Sequence, residues 1–227
     1  MAQQLGFDLP VRVALGRDDF LVAPSNAVAL SMVDAWRQWP LNKLVLTGPE
    51  GAGKTHLTHV WATDSGAQIV AATALDNTTI DTLFDGPIAV EDVDQIAQDD
   101  NRQTALFHLH NALQAAGHPL LMTGQTAPNL WRLSLPDLQS RVDAAGHAAL
   151  DAPDDSLLAA VLAKLFSDRQ LTPRPDVIPY LVTHMERSFA AARRIAADLD
   201  AASLAQKKPI TRNLAAACLD NQGGSGG

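Results

Sequence analysis

The chain has 227 residues, of which 47% are hydrophobic and 19% charged, so it can bury a core and is not a disordered or collagen-like chain. Its 17 basic and 25 acidic residues give a formal net charge of −8, which argues against broad electrostatic binding to DNA. There is no apolar run of the ~18 residues that a membrane helix needs, and no secretory signal, and the single cysteine, Cys218, fits a reducing cytoplasm.

Short apolar runs alternate with longer amphipathic stretches through the first 150 residues. A helix is predicted at 25–36, after the start signal of Pro24 and Ser25, and two more follow at 53–63 and 102–117. Five apolar runs predict buried strands, which are 43–48, 67–72, 87–92, 119–124 and 147–150. Strands that alternate with helices indicate right-handed crossovers and an α/β fold with a parallel sheet covered on both faces.

The pattern becomes entirely helical after Asp151. Pro173 and Pro175 separate the first two of four predicted helices, which are 154–171, 175–185, 188–206 and 211–220. Because the segment is short, it predicts a small helical subdomain rather than a large second domain. We therefore divide the chain into an N-terminal segment, an α/β domain, a helical subdomain and a flexible tail, at 1–18, 19–150, 151–221 and 222–227.

The strongest motif lies between the first predicted strand and the helix that follows it. Residues 48–55 read Gly-Pro-Glu-Gly-Ala-Gly-Lys-Thr and match the phosphate-loop pattern G-x-x-x-x-G-K-[ST] in full. Such a loop turns its backbone N–H groups toward phosphates, while Lys54 reaches the β- and γ-phosphates and Thr55 places its hydroxyl on Mg²⁺. The candidate nucleotide contacts here are Gly48, Pro49, Gly51, Ala52, Gly53, Lys54, Thr55 and His56.

Acidic residues end the third predicted strand. In P-loop ATPases an acid at this position holds Mg²⁺, and its neighbour can orient the attacking water. Two registers are open: Glu91 at the metal with Asp92 as the base, or Asp92 at the metal with Asp94 nearby. We prefer the first register. Because the usual first acid is Asp, and Glu91 is one methylene longer, we expect slow or conditional hydrolysis.

Two further polar residues flank the last two predicted strands. Thr123 ends one of them, where a hydroxyl can sense the γ-phosphate and position water, although an ordinary strand residue is an equal alternative. Arg141 precedes the other and can project into a neighbouring subunit's ATP site as an arginine finger. The alternative for Arg141 is a surface salt bridge with Asp137 or Asp143.

Arginines also occur where the third helix of the helical segment begins. Arg187 could close over the γ-phosphate of the chain's own nucleotide, and Arg193 and Arg194 are alternatives on the same helix. The alternative for all three is a solvated helix face.

These stretches resemble the DnaA-related AAA+ ATPases, and most closely the short Hda group of replication regulators. The resemblance runs from about Asp19 to Asp220 and rests on six stretches: DDFLVAPSNAVAL, GPEGAGKTHL, VEDVDQI, FHLHNALQAAGHPLLMTG, LPDLQSRV and ERSF. It implies a three-layer AAA+ P-loop sheet with a C-terminal helical lid, with ADP or ATP and Mg²⁺ as cofactors. It also implies negative regulation of replication initiation, through stimulated hydrolysis of ATP bound to DnaA.

The resemblance assigns roles to particular residues. The adenine neighbours fall on Val22 and Asn26, and the Walker B acids on Glu91 and Asp92, with Glu91 and Thr55 at the metal. Sensor 1, the arginine finger and the sensor-2 arginine fall on Thr123, Arg141 and Arg187. A protein of this group would hydrolyse ATP weakly itself, act mainly as an activator of DnaA, and could self-associate.

The first residues resemble the peptide by which the Hda group docks on the sliding clamp, the β subunit of DNA polymerase III. An extended chain places three apolar side chains on one side, and a glutamine adds hydrogen bonds: Leu5, Phe7, Leu9 and Gln4. A segment that packs on its own domain, or that stays disordered, is the alternative. Contact with DNA would then be indirect, through the clamp, and no membrane would be involved.

Three other functions remain open. A DnaA-like recruiter or helicase-loader ATPase would act on DNA directly and show a steep salt dependence. A nucleotide kinase would need several phosphate-clamping arginines between the loop and the lid, where the chain offers few. An interaction module without nucleotide is opposed by the intact residues Gly53, Lys54 and Thr55.

Overall fold

The computed structural model describes residues 16–76, 85–206 and 208–223. Its five strands are β1 (Lys43–Thr47), β2 (Gln68–Ala71), β3 (Ile88–Glu91), β4 (Leu120–Gly124) and β5 (Gly146–Ala149). The five predicted strands are thus confirmed, each to within one residue at either end. The predicted clamp-binding peptide, with Gln4, Leu5, Phe7 and Leu9, lies outside the described residues.

The strands form one parallel sheet in the order β2-β3-β4-β1-β5. β1 lies between β4 and β5, with Val45 opposite both Met122 and His147. Because all the strands run the same way, the residues that follow β1, β3 and β4 meet at one edge of the sheet, here called the carboxyl edge. The residues at which the strands begin form the opposite, amino edge.

Helices cover both faces of the sheet. α1 (Ala27–Asp34) and α2 (Lys54–Ser65) pack on one face, and α3 (Asp100–Ala116) and α4 (Pro136–Asp143) on the other. Alternate residues of β1 serve the two cores, since Leu44 and Leu46 join the first and Val45 the second. These layers confirm the predicted three-layer α/β architecture. The eight-residue helix α4 was not predicted from the sequence.

The helical subdomain has a separate core. α5 (Asp155–Asp168), α6 (Val177–His184), α7 (Phe189–Gln206) and α8 (Arg212–Gly223) correspond to the four predicted helices. The Asp154 side chain caps α5 by accepting a 2.8 Å hydrogen bond from the Leu157 N–H. α8 continues to Gly223, two residues into the segment predicted as a tail. None of the described helices is both long and apolar enough to span a membrane.

Candidate nucleotide-binding site

The loop between β1 and α2 has a course that depends on glycine. Gly51 and Gly53 have φ of 72° and 99°, in the left-handed region that side chains disfavour. A Cβ on Gly51 would lie 2.4 Å from the Cβ of Ser188, and one on Gly48 would lie 2.6 Å from the carbonyl oxygen of Leu150. The loop is therefore tight as well as turned, and it leads directly into the N-terminus of α2, where free N–H groups favour an anion.

Lys54, the first residue of α2, folds back into this loop. Its Nζ donates hydrogen bonds to the carbonyl oxygens of Gly48 (2.7 Å) and Pro49 (3.0 Å), and the residue is only 8% exposed. Burial lowers the pKa of Lys54, and nearby carboxylates, chiefly Asp92, offset part of that shift. The ammonium thus lies inside the loop where a phosphate would accept its protons. Thr55 is exposed beside it.

Two carboxylate oxygens at or just after the end of β3 accept no hydrogen bond from the described residues. Glu91 Oε1 and Asp94 Oδ1 are buried without a hydrogen-bond partner among the described residues, while Asp94 Oδ2 accepts a 2.9 Å bond from the Gln125 N–H. Burial raises the pKa of Asp92, and the charge of Lys54 lowers it. Unpartnered carboxylate oxygens suit a hard cation, so these residues fit Mg²⁺.

The described part of the chain has no group of three or more His, Cys, Asp or Glu side chains placed to hold a metal by themselves. That arrangement agrees with a Mg²⁺ that takes most of its ligands from phosphates and water. The two registers are not separated by this geometry, because each offers one unpartnered oxygen, on Glu91 or on Asp94.

Thr123 is 1% exposed on β4 and joins two strand ends. Its Oγ1 accepts a 3.0 Å hydrogen bond from the N–H of Asp92, whose φ of 58° is left-handed. The hydroxyl therefore helps to fix the backbone that carries the acids. This structural role was not foreseen from the sequence.

A cavity of about 870 Å³ opens beside the loop, between the α/β domain and the helical subdomain. Its wall includes Phe20, Leu21 and His56 on one side, and Val161, Leu165 and Phe189 on the other. The rings of His56 and Phe20 meet edge to face, with centroids 5.2 Å apart. Such a mixed apolar wall beside a phosphate loop suits a planar base. His56, one of the residues that the sequence suggested as a nucleotide contact, lines this cavity.

The two residues expected near the adenine lie differently. Val22 is 61% exposed, and Asn26 is buried with its amide turned to its own loop. Asn26 accepts a 2.9 Å bond from the Ala23 N–H and donates a 2.8 Å bond to the Leu21 carbonyl. As far as the described residues form it, the cavity wall contains Phe20 and Leu21 but neither Val22 nor Asn26. Asn26 instead shapes the segment that presents those two side chains.

The arginines near the start of α7 fall into two groups, according to whether they line the cavity. Arg187 is exposed, forms an ion pair with Asp155 and is not among the residues of the described cavity wall. Arg193 and Arg194 do line the cavity, and partial burial lowers the pKa of Arg193. Arg169 of the same subdomain lines the cavity as well, so three arginines border the described wall, and the two alternatives from the sequence are among them.

The helical subdomain touches the phosphate loop itself. The Phe189 N–H donates a 3.0 Å hydrogen bond to the Gly51 carbonyl, and the Phe189 ring is 3.1 Å from where a Gly53 Cβ would stand. On the rim of the cavity, Lys164 bridges Asp19 and Asp168 at 3.0 and 3.2 Å. The Phe189–Gly51 bond and the Lys164–Asp19 ion pair have no local sequence signal, because each joins distant parts of the chain, whereas Lys164 and Asp168 are four residues apart on α5.

Arg141 lies near the amino edge of the sheet, away from the chain's own phosphate loop. Its guanidinium carbon is 4.8 Å from the centroid of the Phe107 ring. Neither salt bridge considered for it is present, and Asp143 instead accepts a 2.8 Å bond from Gln139. In the part of the chain that the structure describes, Arg141 has no carboxylate partner.

Two buried basic residues lie close to Arg141. The Lys43 Nζ donates a 2.8 Å hydrogen bond to Gln114 Oε1, and burial together with the charge of Arg141 lowers its pKa to about 8. His110 is 1% exposed, and both ring nitrogens lack a hydrogen-bond partner among the described residues. Burial, followed by the charges of Lys43 and Arg141, lowers the pKa of His110 to about 4.

Comparison with known proteins identifies a curated relative and several similar solved structures. No family model matches the chain. The chromosomal replication initiator protein DnaA of Cutibacterium acnes is 24% identical over 225 residues, which cover 89% of this chain but 45% of that protein. The chain thus spans less than half the length of this curated relative.

Solved structures match over most of the chain. Domain III of DnaA from Thermotoga maritima superposes with a TM-score of 0.81 at 18% identity, covering 94% of this chain and 98% of that one. DnaA bound to AMPPCP and single-stranded DNA gives 0.70 at 16% identity, over 84% and 67%. The RuvB Holliday junction branch migration motor of Thermotoga maritima gives 0.70 at 17%, over 90% and 71%. The chain therefore has the AAA+ P-loop ATPase fold that DnaA domain III and RuvB share.

Proposed function

We propose that this chain is a cytoplasmic regulator of replication initiation of the Hda type, which binds ADP or ATP with Mg²⁺ and stimulates the hydrolysis of ATP held by DnaA. The observation that carries the proposal is the placement of Arg141, a permanently charged side chain with no carboxylate partner, near the sheet edge opposite its own phosphate loop. From that position it would serve a nucleotide held by a neighbouring molecule.

Nucleotide binding by the chain itself is supported by the carboxyl edge. Lys54 would exchange its two carbonyl acceptors for phosphate oxygens, and the N-terminus of α2 would add its free N–H groups. Thr55 and Glu91 would hold Mg²⁺, which when bound offsets the phosphate charge, and Asp92 would orient water. The base would enter the cavity beside Phe20 and His56.

Docking on the sliding clamp would use the first residues, with Gln4 and Leu5 as the leading contacts. Contact with DNA would then be indirect, and the formal charge of −8 supports that order of events. Self-association would follow from head-to-tail contacts of the kind that place one copy's arginine at another copy's nucleotide.

The test measures hydrolysis of ATP bound to DnaA in the presence of clamp loaded on DNA. Arg141→Ala should reduce the stimulated rate by at least about 10³-fold, as expected for loss of an arginine finger, while clamp pull-down is retained. Arg212→Ala is the matched control, because Arg212 lies over the Tyr180 ring at the same 4.8 Å but in the helical subdomain. Normal stimulation by Arg141→Ala would contradict the proposal.

A second arm separates docking from stimulation. Replacing Gln4 and Leu5 together with Ala should abolish clamp pull-down and leave nucleotide binding intact. Strong binding of the chain to DNA without clamp, with a steep salt dependence, would instead support a recruiter or helicase loader that acts on DNA directly.

A further inference from the structure

An arginine finger needs an anchor that leaves its charge free. A carboxylate partner would neutralise the guanidinium and occupy its N–H donors, so it would compete with the phosphate to be bound. An aromatic face holds the flat guanidinium by its quadrupole and by stacking, and it leaves the N–H groups at the edge of the plane unoccupied.

Phe107 provides such a face for Arg141. The guanidinium carbon lies 4.8 Å from the ring centroid, within the range of a cation–π contact. Phe107 is itself partly buried on α3 and packs against the core that also contains Leu106 and Val142. The ring is therefore held by the core, while the arginine rests on it from α4.

The surroundings favour the same arrangement. Lys43 and His110 lie close enough to Arg141 for its charge to act on both of them. Among the described residues Arg141 has no acidic side chain within ion-pair distance. With cationic and neutral groups beside it, the guanidinium has no alternative ion-pair partner among the described residues.

We propose that Phe107 is a positioning residue, which holds the Arg141 guanidinium by stacking so that its N–H groups point out of the chain toward an anionic phosphate of the neighbouring molecule. This inference rests on the proposed function, because it assigns to Phe107 the orientation of the proposed finger. It predicts that the ring, and not merely its volume, is needed.

The experiment uses the full chain with DnaA, ATP and clamp loaded on DNA. Phe107→Leu keeps an apolar side chain without a ring and should lower stimulated hydrolysis about tenfold, in line with loss of a cation–π contact. Phe107→Tyr keeps the ring and should stay near the unsubstituted rate. In an Arg141→Ala background, Phe107→Leu should cause no further loss, because its effect passes through that arginine.

A spectroscopic readout accompanies the rates. The ring current of Phe107 should shift the side-chain protons of Arg141 upfield in NMR spectra, a shift lost in Phe107→Leu and kept in Phe107→Tyr. Tyr180→Leu, which removes the ring beneath Arg212, is the matched control and should leave stimulation unchanged. If Phe107→Leu fails to fold, Phe107→Met takes its place as the ringless variant.

The outcomes separate this inference from the proposed function. Full stimulation by Arg141→Ala overturns the proposed function itself. Loss of stimulation in Arg141→Ala with normal rates in Phe107→Leu overturns only the role of Phe107. So does a further loss when Phe107→Leu is added to Arg141→Ala, or an equal loss in Tyr180→Leu, since either would mean a general effect on folding.

Discussion

The buried lysines at the two edges of the sheet have different electrostatic surroundings. At the carboxyl edge, Lys54 lies inside the phosphate loop, and carboxylates led by Asp92 support its charge. At the amino edge, Lys43 is equally buried, but its partner is the neutral amide of Gln114, and the charge nearest to it is that of Arg141. The first edge is balanced for a ligand of its own. At the second, no carboxylate of the described residues lies within ion-pair distance of Lys43 or Arg141.

That imbalance has a cost in stability. The buried Lys43 ammonium has no carboxylate, and its hydrogen bond to Gln114 replaces only part of the solvation that it loses. The buried His110 ring also loses its solvation. A surface that served only the fold would gain by replacing them with apolar side chains.

If the two edges act separately, a substitution at the carboxyl edge should weaken nucleotide binding and one at the amino edge should not. Lys54→Ala should weaken MgADP binding about 100-fold, because two charge-assisted contacts to phosphate are lost. Arg141→Ala should leave that affinity unchanged. Isothermal titration calorimetry measures both, and a similar loss in the two variants would mean that the edges do not act separately.

His110 should make the chain acid-sensitive. Its pKa is about 4 in the folded chain and 6.5 when unfolded, so the unfolded state binds more protons between these values and stability is lost as the pH falls from 6.5 toward 4. Between pH 7 and pH 5 the loss should be about 2 kcal/mol. Urea unfolding at the two pH values should show this loss reduced by His110→Leu. His108→Gln, at an exposed position on the same helix, should keep it.

Lys43 should make the stability of the folded chain depend on pH in the alkaline range. Its pKa is about 8 when folded and 10.5 when unfolded, so stability is present above 10.5 and is lost as the pH falls through 8. From pH 7 to pH 9 the unsubstituted chain should therefore gain about 1 kcal/mol of unfolding free energy relative to Lys43→Met. Lys208→Met, at an exposed lysine, should show no such difference. Parallel pH profiles for Lys43→Met and the unsubstituted chain would contradict the assignment.

Thr123 offers the smallest of these effects. Thr123→Val removes the acceptor for the Asp92 N–H and should cost about 1 kcal/mol of unfolding free energy. Thr58 is a matched control, since its buried hydroxyl has no hydrogen-bond partner among the described residues, so Thr58→Val should cost nothing. Equal losses of unfolding free energy in the two variants would contradict the structural role assigned to the Thr123 hydroxyl.

What the sequence could predict depended on how local each feature is. The phosphate loop is contiguous, and its glycines are required by its own backbone, so the motif alone located it. The strands were equally clear, because a parallel sheet buries both faces and leaves continuous apolar runs. The residues that line the cavity were harder to predict. The resemblance placed Val22 and Asn26 near the adenine, whereas the described cavity wall contains Phe20 and Leu21.

Features assembled from distant elements were not predictable. Arg187 has its ion-pair partner in Asp155 at the start of α5, 32 residues away, which no local pattern indicates. The group around Arg141 brings together β1, α3 and α4, and a histidine or lysine in an apolar run carries no sign of the charge beside it. Arg141 could therefore be suggested from the sequence as an arginine finger, but its contact with Phe107 could not be predicted.

The most direct test of the central claim asks whose nucleotide Arg141 acts on. DnaA is loaded with ATP carrying one γ-phosphate label and this chain with ATP carrying another, and release of both labels is followed in a single turnover with clamp on DNA. The account predicts fast release from DnaA, slow release from this chain, and loss of only the fast release in Arg141→Ala. Fast release from DnaA that survives Arg141→Ala would contradict it.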